Sequence, residues 1–321
     1  MTNFEKKHSL SFCAWVLILI AFYTAGGEGN YKINNVYDNL ISKEVLNLIC
    51  FFLILTIGIS HGALDNIKGK KFLKILKLEN LKIFYLCYIF IALSVIFLWT
   101  IIPSITLFLF LIIAAYHFGK EDSFLINSSK DNKSNFIFFL RGSIVVFAPL
   151  AFHTNETIEI FNKLLINDNN LINALYLLSN YYFFYSILAL SIIVCHFDLG
   201  DNFDNYSFYF ETLAIIGLNY FFEPLFAFTI YFCFLHSIRH SISLSNELDS
   251  KNIKNGFKNF LNKALPLTLI TGILFVLSLT ALINFFELNN AILKVIFIGL
   301  ASLTFPHILL EYLIEKNEKR T

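Results

Sequence analysis

Residues 83–102 read IFYLCYIFIALSVIFLWTII, and Pro103 follows directly. The stretch holds no charged residue. A bilayer core of roughly 30 Å takes about 20 apolar residues as an α-helix. This segment therefore has the length and chemistry of a membrane span. Pro103 lacks an amide N–H and clashes with a preceding helical turn, so it ends the span.

Nine further stretches of the same kind lie on either side. They cover about 10–25, 45–61, 104–117, 136–152, 174–196, 208–222, 224–240, 265–286 and 291–314. The predicted fold class is all-α, a polytopic transmembrane helix bundle of about ten spans, with a range of eight to ten. Glu223-Pro224 separates two spans as tightly as Pro103 does, so both pairs are expected to be hairpins. The loops leave no room for a second soluble domain, so residues 1–321 are expected to form one integral membrane domain. Within it, an extra N-terminal helix at about 10–25 precedes a ligand-bearing core at about 45–314. The first stretch follows Lys6 and Lys7 but precedes no small-x-small cleavage site. It reads as a retained helix that also targets the chain to the membrane.

Composition agrees with this reading. The 321 residues are 57% hydrophobic and 15% charged, with net charge +1 and mean hydropathy +0.66. A soluble domain carries about 25% charged residues. The 38 Phe and 15 Tyr, against 5 Pro, exclude a disordered or collagen-like chain. A nucleic-acid-binding surface is excluded by the near-neutral charge. The five cysteines sit inside apolar runs, as buried small hydrophobes do, and no spacing suggests a disulfide or zinc knuckle.

Orientation follows from the positive charges. With the N-terminus inside, 20 of the 24 Lys and Arg residues fall on inner segments. Only Lys32, Lys43, Lys163 and Lys294 fall outside. Both termini are thus expected in the cytoplasm, with an even number of spans in a multi-pass protein of the cell (inner) membrane.

Polar groups inside a membrane are costly and usually functional, which singles out the histidines. His61, His117, His236 and His240 each lie near the inner end of an outside-to-inside span. Counted from the outer ends they stand about 16, 13, 12 and 16 residues in, and His307 about 16. At 1.5 Å per residue, these five fall within roughly 6 Å of one depth. His236 and His240 are spaced i, i+4 and share a helix face, a spacing that suits a metal clamp. The competing reading is a set of interhelical histidines, each hydrogen-bonded to a carbonyl. Neutral imidazoles suit iron, copper, zinc or nickel. Four of them leave a position open on an ion that takes five or six ligands, and this favours Fe(II) for a catalytic site.

Carboxylates flank the histidines. Asp65 lies four residues after His61 and Asp122 five after His117. Each has two readings: acceptor of a ligand's free ring N–H, or a charge in an inner loop. Gly62 and Gly119 read as C-caps ending their spans. Glu211 either snorkels to the interface or takes a functional role. Arg239 is expected to point toward inner headgroups. His196 reads as interfacial, and His8 and His153 as solvent-exposed.

The segments His61-Gly62-Ala63-Leu64-Asp65, Tyr116-His117-Phe118-Gly119, His236-Ser237-Ile238-Arg239-His240 and Pro306-His307 together resemble the Brp/Blh family. These are the bacteriorhodopsin-related membrane β-carotene 15,15'-dioxygenases. The likeness runs in the same order from about residue 45 to 310. It implies a bundle holding Fe(2+) on His61, His117, His236 and His240. Asp65, Asp122, Glu211 and His307 would then be supporting residues. It also implies that β-carotene and O2 are converted to two retinal molecules, with the lipid bilayer as the source of substrate. The helix before residue 45 departs from the family pattern.

Rival functions require features that are missing. A retinal-binding pump needs a lysine at mid-span, and Lys294 stands at an outer end. A di-iron desaturase needs about eight ligands in dense histidine boxes, and this chain has a single HxxxH. A multi-His membrane metal transporter is the main alternative. It would use intramembrane carboxylates, of which the sequence offers only Glu211.

Overall fold

The computed structural model describes residues 3–25, 42–78, 80–123, 132–198 and 203–318. Among them the chain forms helices and no strand. In chain order these are α1 (Asn3–Ala25), α2 (Lys43–Thr56), a 3-10 segment (Gly58–Leu64), α3 (Asp65–Ile75) and α4 (Leu81–Ile101). Next come α5 (Pro103–Asp122), α6 (Asn132–Phe152), α7 (Thr154–Lys163), α8 (Asn169–Asn180), α9 (Phe183–Asp198) and α10 (Phe203–Phe221). The chain continues through α11 (Pro224–Ile230), a π-helical segment (Tyr231–Ser237), α12 (Ile238–Leu248), α13 (Ile253–Leu282) and α14 (Leu288–Glu318).

Local chemistry explains the helix ends. Asn80 caps α4, its side chain accepting from the Lys82 amide at 3.0 Å. The helix ends at Ile102, whose φ of −131° and ψ of 60° lie outside the helical region, as the residue before a proline requires. Pro103 then opens α5, and Pro224 sits in the first turn of α11. A proline is tolerated at that position because its missing N–H would be unpaired there anyway. The chain breaks between helices at both expected prolines.

Eight helices among the described residues are long and apolar enough to cross a membrane. Asn169–Asn180 and Phe183–Val194 supply a ninth span if counted as one, although they are bent by 60°. The expected span 174–196 is therefore broken. Asp168 starts the pair early, accepting from the amides of Asn170 and Leu171. Tyr182, at φ 57°, turns the chain between the two helices. The expected span 208–222 is helical as α10.

Two other differences bear on the site. The 45–61 span does not run helically to His61. It leaves the α-helix after Thr56 and continues as a 3-10 turn. The Ser60 hydroxyl donates to the Ile57 carbonyl at 2.7 Å, the same oxygen that its own amide reaches at 3.4 Å. Such local side-chain bonds compete with helical ones. Gly119 is not a C-cap either, because α5 continues past it to Asp122. A Cβ at Gly119 would stand 1.7 Å from the Phe138 carbonyl oxygen, and one at Gly142 would stand 1.7 Å from that of Ala115. The two glycines let the backbones of α5 and α6 touch, as small residues do where membrane helices cross.

The chain divides into two compact units. Unit 1 covers Met1–Ile54, Leu111–Asn162 and Asn167–His240; unit 2 covers Leu55–Phe110, Lys163–Ile166 and Ser241–Thr321. In unit 1, α6 packs against α9 and α10, and α1 lies along α10. In unit 2, α14 packs against α3 and α4, and α13 covers the 3-10 segment. Phe260 of α13 is buried there with Ala63, Leu64, Leu244 and Ala264.

Unit 2 exposes apolar side chains along two of its helices. Leu86, Phe90, Leu93 and Phe97 form an exposed stripe along α4, with Phe90 72% exposed. Leu265, Leu269, Ile273 and Leu277 do the same on α13. A stripe of this kind is suited to hydrocarbon, not water. Cys13, Cys50, Cys87 and Cys233 are free thiols. Cys50 and Cys233 are buried as expected, whereas Cys87 is exposed on α4.

Candidate metal centre

Unit 1 gathers three of the predicted histidines. His117 and His236 are both buried, and their rings meet edge to face with centroids 5.5 Å apart. His240, also buried, follows four residues later. Phe118 and Phe232 wall the His236 ring, at 4.8 and 5.8 Å between centroids.

The carboxylates decide which nitrogen of each ring carries the proton. His236 Nδ1 lies 3.2 Å from Asp122 Oδ1, and His240 Nδ1 lies 2.9 Å from Glu121 Oε2. An ionised carboxylate only accepts, so each Nδ1 holds the hydrogen and each neutral ring carries its lone pair on Nε2. Metal-ligating histidines are oriented in this way.

The π-helical segment makes the Asp122 contact possible. Tyr231 donates its hydroxyl to Asp122 Oδ2 at 2.6 Å while His236 engages Oδ1. These residues are five apart. In an α-helix that spacing turns side chains about 140° away from each other, whereas a π turn repeats i→i+5. One carboxylate can therefore hold both.

Behind Asp122 lies a buried ion network. Glu211 is fully buried between two arginines. Arg141 Nη2 donates to its Oε2 at 2.8 Å, and Arg239 Nη2 donates to its Oε1. Arg239 also donates to the Asp122 carbonyl at 3.1 Å and to Ser9 Oγ at 3.0 Å. Arg141 stacks on Phe208, its guanidinium carbon 3.2 Å from the ring centroid.

Four expectations are corrected within unit 1. Arg239 does not reach toward headgroups; it is buried against Glu211. Glu211 does not snorkel, because two guanidinium groups face it inside unit 1. His8 is not solvent-exposed; its Nε2 contacts the Phe234 carbonyl at 2.8 Å. His153 is half-buried.

Unit 2 holds His307 and Asp65. His307 Nδ1 lies 2.8 and 2.9 Å from the two Asp65 oxygens. The Tyr88 hydroxyl donates to Asp65 Oδ2 at 2.9 Å. Asp65 thus serves as the expected acceptor of a ring N–H, with His307 as its partner. Asp122 likewise serves His236, not the nearby His117. His61 stands on the 3-10 segment, and its side chain lies outside the described residues, as does that of His196.

Sequence reasoning missed Glu121, Tyr231, Tyr88, Arg141 and Glu311. Glu121 had a signal, as half of an acidic pair four and five residues after His117. The tyrosines had none, since 15 are spread along the chain. Glu211 is also not the only carboxylate drawn inside the protein: Asp65 and Asp122 are buried, and Glu121 and Glu311 half-buried. They accept from His, Tyr and Lys side chains.

The donor set fits a borderline divalent metal. Buried imidazoles with Nδ1 held by carboxylates present Nε2 as the ligating atom, and such nitrogen donors suit iron, copper, zinc or nickel. Fold and site together describe a polytopic helical membrane protein with buried imidazoles whose Nε2 atoms face away from their carboxylate partners. The chain belongs to the β-carotene 15,15'-dioxygenase family, whose sequence profile matches residues 52–315. A β-carotene 15,15'-dioxygenase from uncultured marine bacterium 66A03 is similar to it. The two are 30% identical over 277 residues, which is 84% of this chain and 94% of that protein. No solved structure matches the chain significantly.

Proposed function

We propose that this protein cleaves the central 15,15' double bond of β-carotene with O2 to give two molecules of retinal. Ferrous iron is held by His61, His117, His236 and His240. The protein works as a multi-pass protein of the inner cell membrane, with both termini in the cytoplasm. One carbon–carbon double bond breaks, each half gains one oxygen atom of O2, and no external reductant is needed. When bound, Fe(2+) supplies O2 activation next to an electron-rich alkene.

The observation that carries this reading is the pairing of His236 Nδ1 with Asp122 and His240 Nδ1 with Glu121. It fixes two of the proposed ligands in the tautomer a metal needs. The chain's own residues do the rest. Asp122 and Glu121 hold the protons of the ligand rings. Tyr231 steadies Asp122 from its second oxygen. The Glu211–Arg239–Arg141 network holds the Asp122 backbone. Phe118 and Phe232 keep the His236 ring in apolar surroundings. A C40 polyene is dissolved in hydrocarbon, so a site inside a helix bundle meets it without extraction into water.

The test is expression in β-carotene-producing bacteria with chromatography of the carotenoid products. Wild type should bleach the cells and give retinal. His236→Ala should leave the colour and form no retinal. Products other than retinal, or undiminished bleaching by His236→Ala, would overturn the assignment. Metal uptake without carotenoid cleavage would instead support a transporter.

A further inference from the structure

Unit 2 carries a histidine–carboxylate assembly that the four-histidine set leaves unused. His307 and Glu311 stand four residues apart on α14, about one turn along one face. His307 Nδ1 meets both oxygens of Asp65 at 2.8 and 2.9 Å. Asp65 is held by Tyr88, which also reaches the Leu303 carbonyl at 3.3 Å. Gly62 backs onto the pair, its Cβ position 4.0 Å from both Asp65 Oδ2 and His307 Nδ1.

The wiring repeats that of His236 with Asp122 and of His240 with Glu121. The proton sits on Nδ1 against a carboxylate, and the neutral ring carries its lone pair on Nε2. Two of these three rings belong to the proposed ligand set; the third is His307.

A second observation lies on the other side of the ring. His307 Nε2 is 3.6 Å from Glu311 Oε1. That is too long for a hydrogen bond between them. Two donors each about 2.1 Å from one ion stand at most about 4.2 Å apart. A separation of 3.6 Å is therefore one that a single cation can bridge. Lys68 Nζ donates to the same Glu311 oxygen at 2.6 Å, and a carboxylate oxygen has a second lone pair to offer. Asp65 and Glu311 bring two negative charges and Lys68 one positive. With a neutral His307 the cluster is left with one net negative charge inside the protein, which a bound cation would offset.

We infer that His307 is an iron-ligating residue and not merely a support for others, a fifth imidazole that still leaves one position open on a six-coordinate ion, with Glu311 beside it as counter-charge. The inference rests on the proposed dioxygenase reading, because it takes iron as the metal. The rival account is a structural ion pair, with His307 as an imidazolium clamped between Asp65 and Glu311.

The test is anaerobic Fe(2+) titration of the full-length protein, purified in detergent and stripped of metal. Iron per chain is read alongside monodispersity on gel filtration. His307→Ala should bind iron at least tenfold more weakly than wild type, and millimolar imidazole should restore binding by replacing the missing ring. His307→Gln, which keeps bulk and polarity, covers the case in which the alanine variant does not fold; it should also lose at least tenfold. Glu311→Gln should bind several-fold more weakly. Wild-type iron affinity in either folded His307 variant overturns the inference alone. So does a loss in His307→Ala that imidazole does not restore, which is the result the ion pair requires. A wild-type protein that takes up no iron overturns the dioxygenase reading, and this inference with it.

Discussion

Asp122 makes three contacts with three parts of itself. Its two carboxylate oxygens take His236 and Tyr231, and its carbonyl takes Arg239. Asp122→Asn removes the charge that keeps the His236 proton on Nδ1. Removing such an outer partner costs roughly 10–100-fold in metal affinity or activity. The variant should fold and lose iron affinity and retinal formation by that factor. Tyr231→Phe leaves His236 its acceptor and removes one hydrogen bond, worth about 1 kcal/mol, so its loss should be several-fold. Iron titration of both variants checks the order, and equal losses would contradict it. Glu211 is a different case, since it touches no histidine. Glu211→Gln leaves Arg141 and Arg239 buried without their shared counter-charge. Breaking a buried pair in this way costs about 3–5 kcal/mol. A fall in the melting temperature in detergent should therefore accompany any loss of activity, and unchanged melting would show that the network is not structural.

The α5–α6 crossing sets where His117, Glu121 and Asp122 stand, because α5 carries all three. Gly142→Ala pushes a methyl group into the Ala115 carbonyl, 1.7 Å from where that group would sit. The carbonyl belongs to a helix and cannot swing aside, so the helices must separate. Overpacking typically costs about 1–3 kcal/mol, and a backbone contact lies at the upper end of that range. The melting temperature should fall, and iron content should fall with it. A variant as stable and as iron-rich as wild type would mean that the crossing does not position the site. Read from the sequence, Gly119 is a cap, as a glycine just beyond a histidine suggests, and this crossing is missed. What the sequence does record well is length and polarity. Long apolar runs bounded by Pro103 and Pro224 become helices with those boundaries. It records irregular turns poorly. The 3-10 turn under His61 depends on one serine hydroxyl, and the π segment leaves no periodic trace. Yet that segment pairs Tyr231 and His236 on one carboxylate. The histidines themselves were legible because a polar ring in an apolar run is rare. Which carboxylate serves which ring was not, because Asp65 and Asp122 serve rings distant in sequence.

At the scale of the whole molecule, parity of the spans and the distribution of charge constrain each other. Eight helices qualify as spans among the described residues, and nine with the bent α8–α9 pair. An odd total would place the termini on opposite sides of the membrane. The positive-inside bias is met by an even one, since the segments after α12 and after α14 are both basic: Lys251, Lys254, Lys258 and Lys263 in the first, Lys316, Lys319 and Arg320 in the second. The two demands meet if the bent pair and α10 both cross, giving ten. A reporter inserted after Ser250 and another fused after Thr321 should then both face the cytoplasm. A periplasmic signal from the C-terminal fusion, with a cytoplasmic one after Ser250, would mean that α13 and α14 do not both cross. A periplasmic signal from both would mean that either the bent pair or α10 stays on one side. The second result bears on chemistry as well as topology. Glu211 lies in α10, and only a crossing α10 places its charge within the hydrocarbon layer, where an unpaired carboxylate is costly. In a crossing α10 that cost would be offset by the two arginines buried against it.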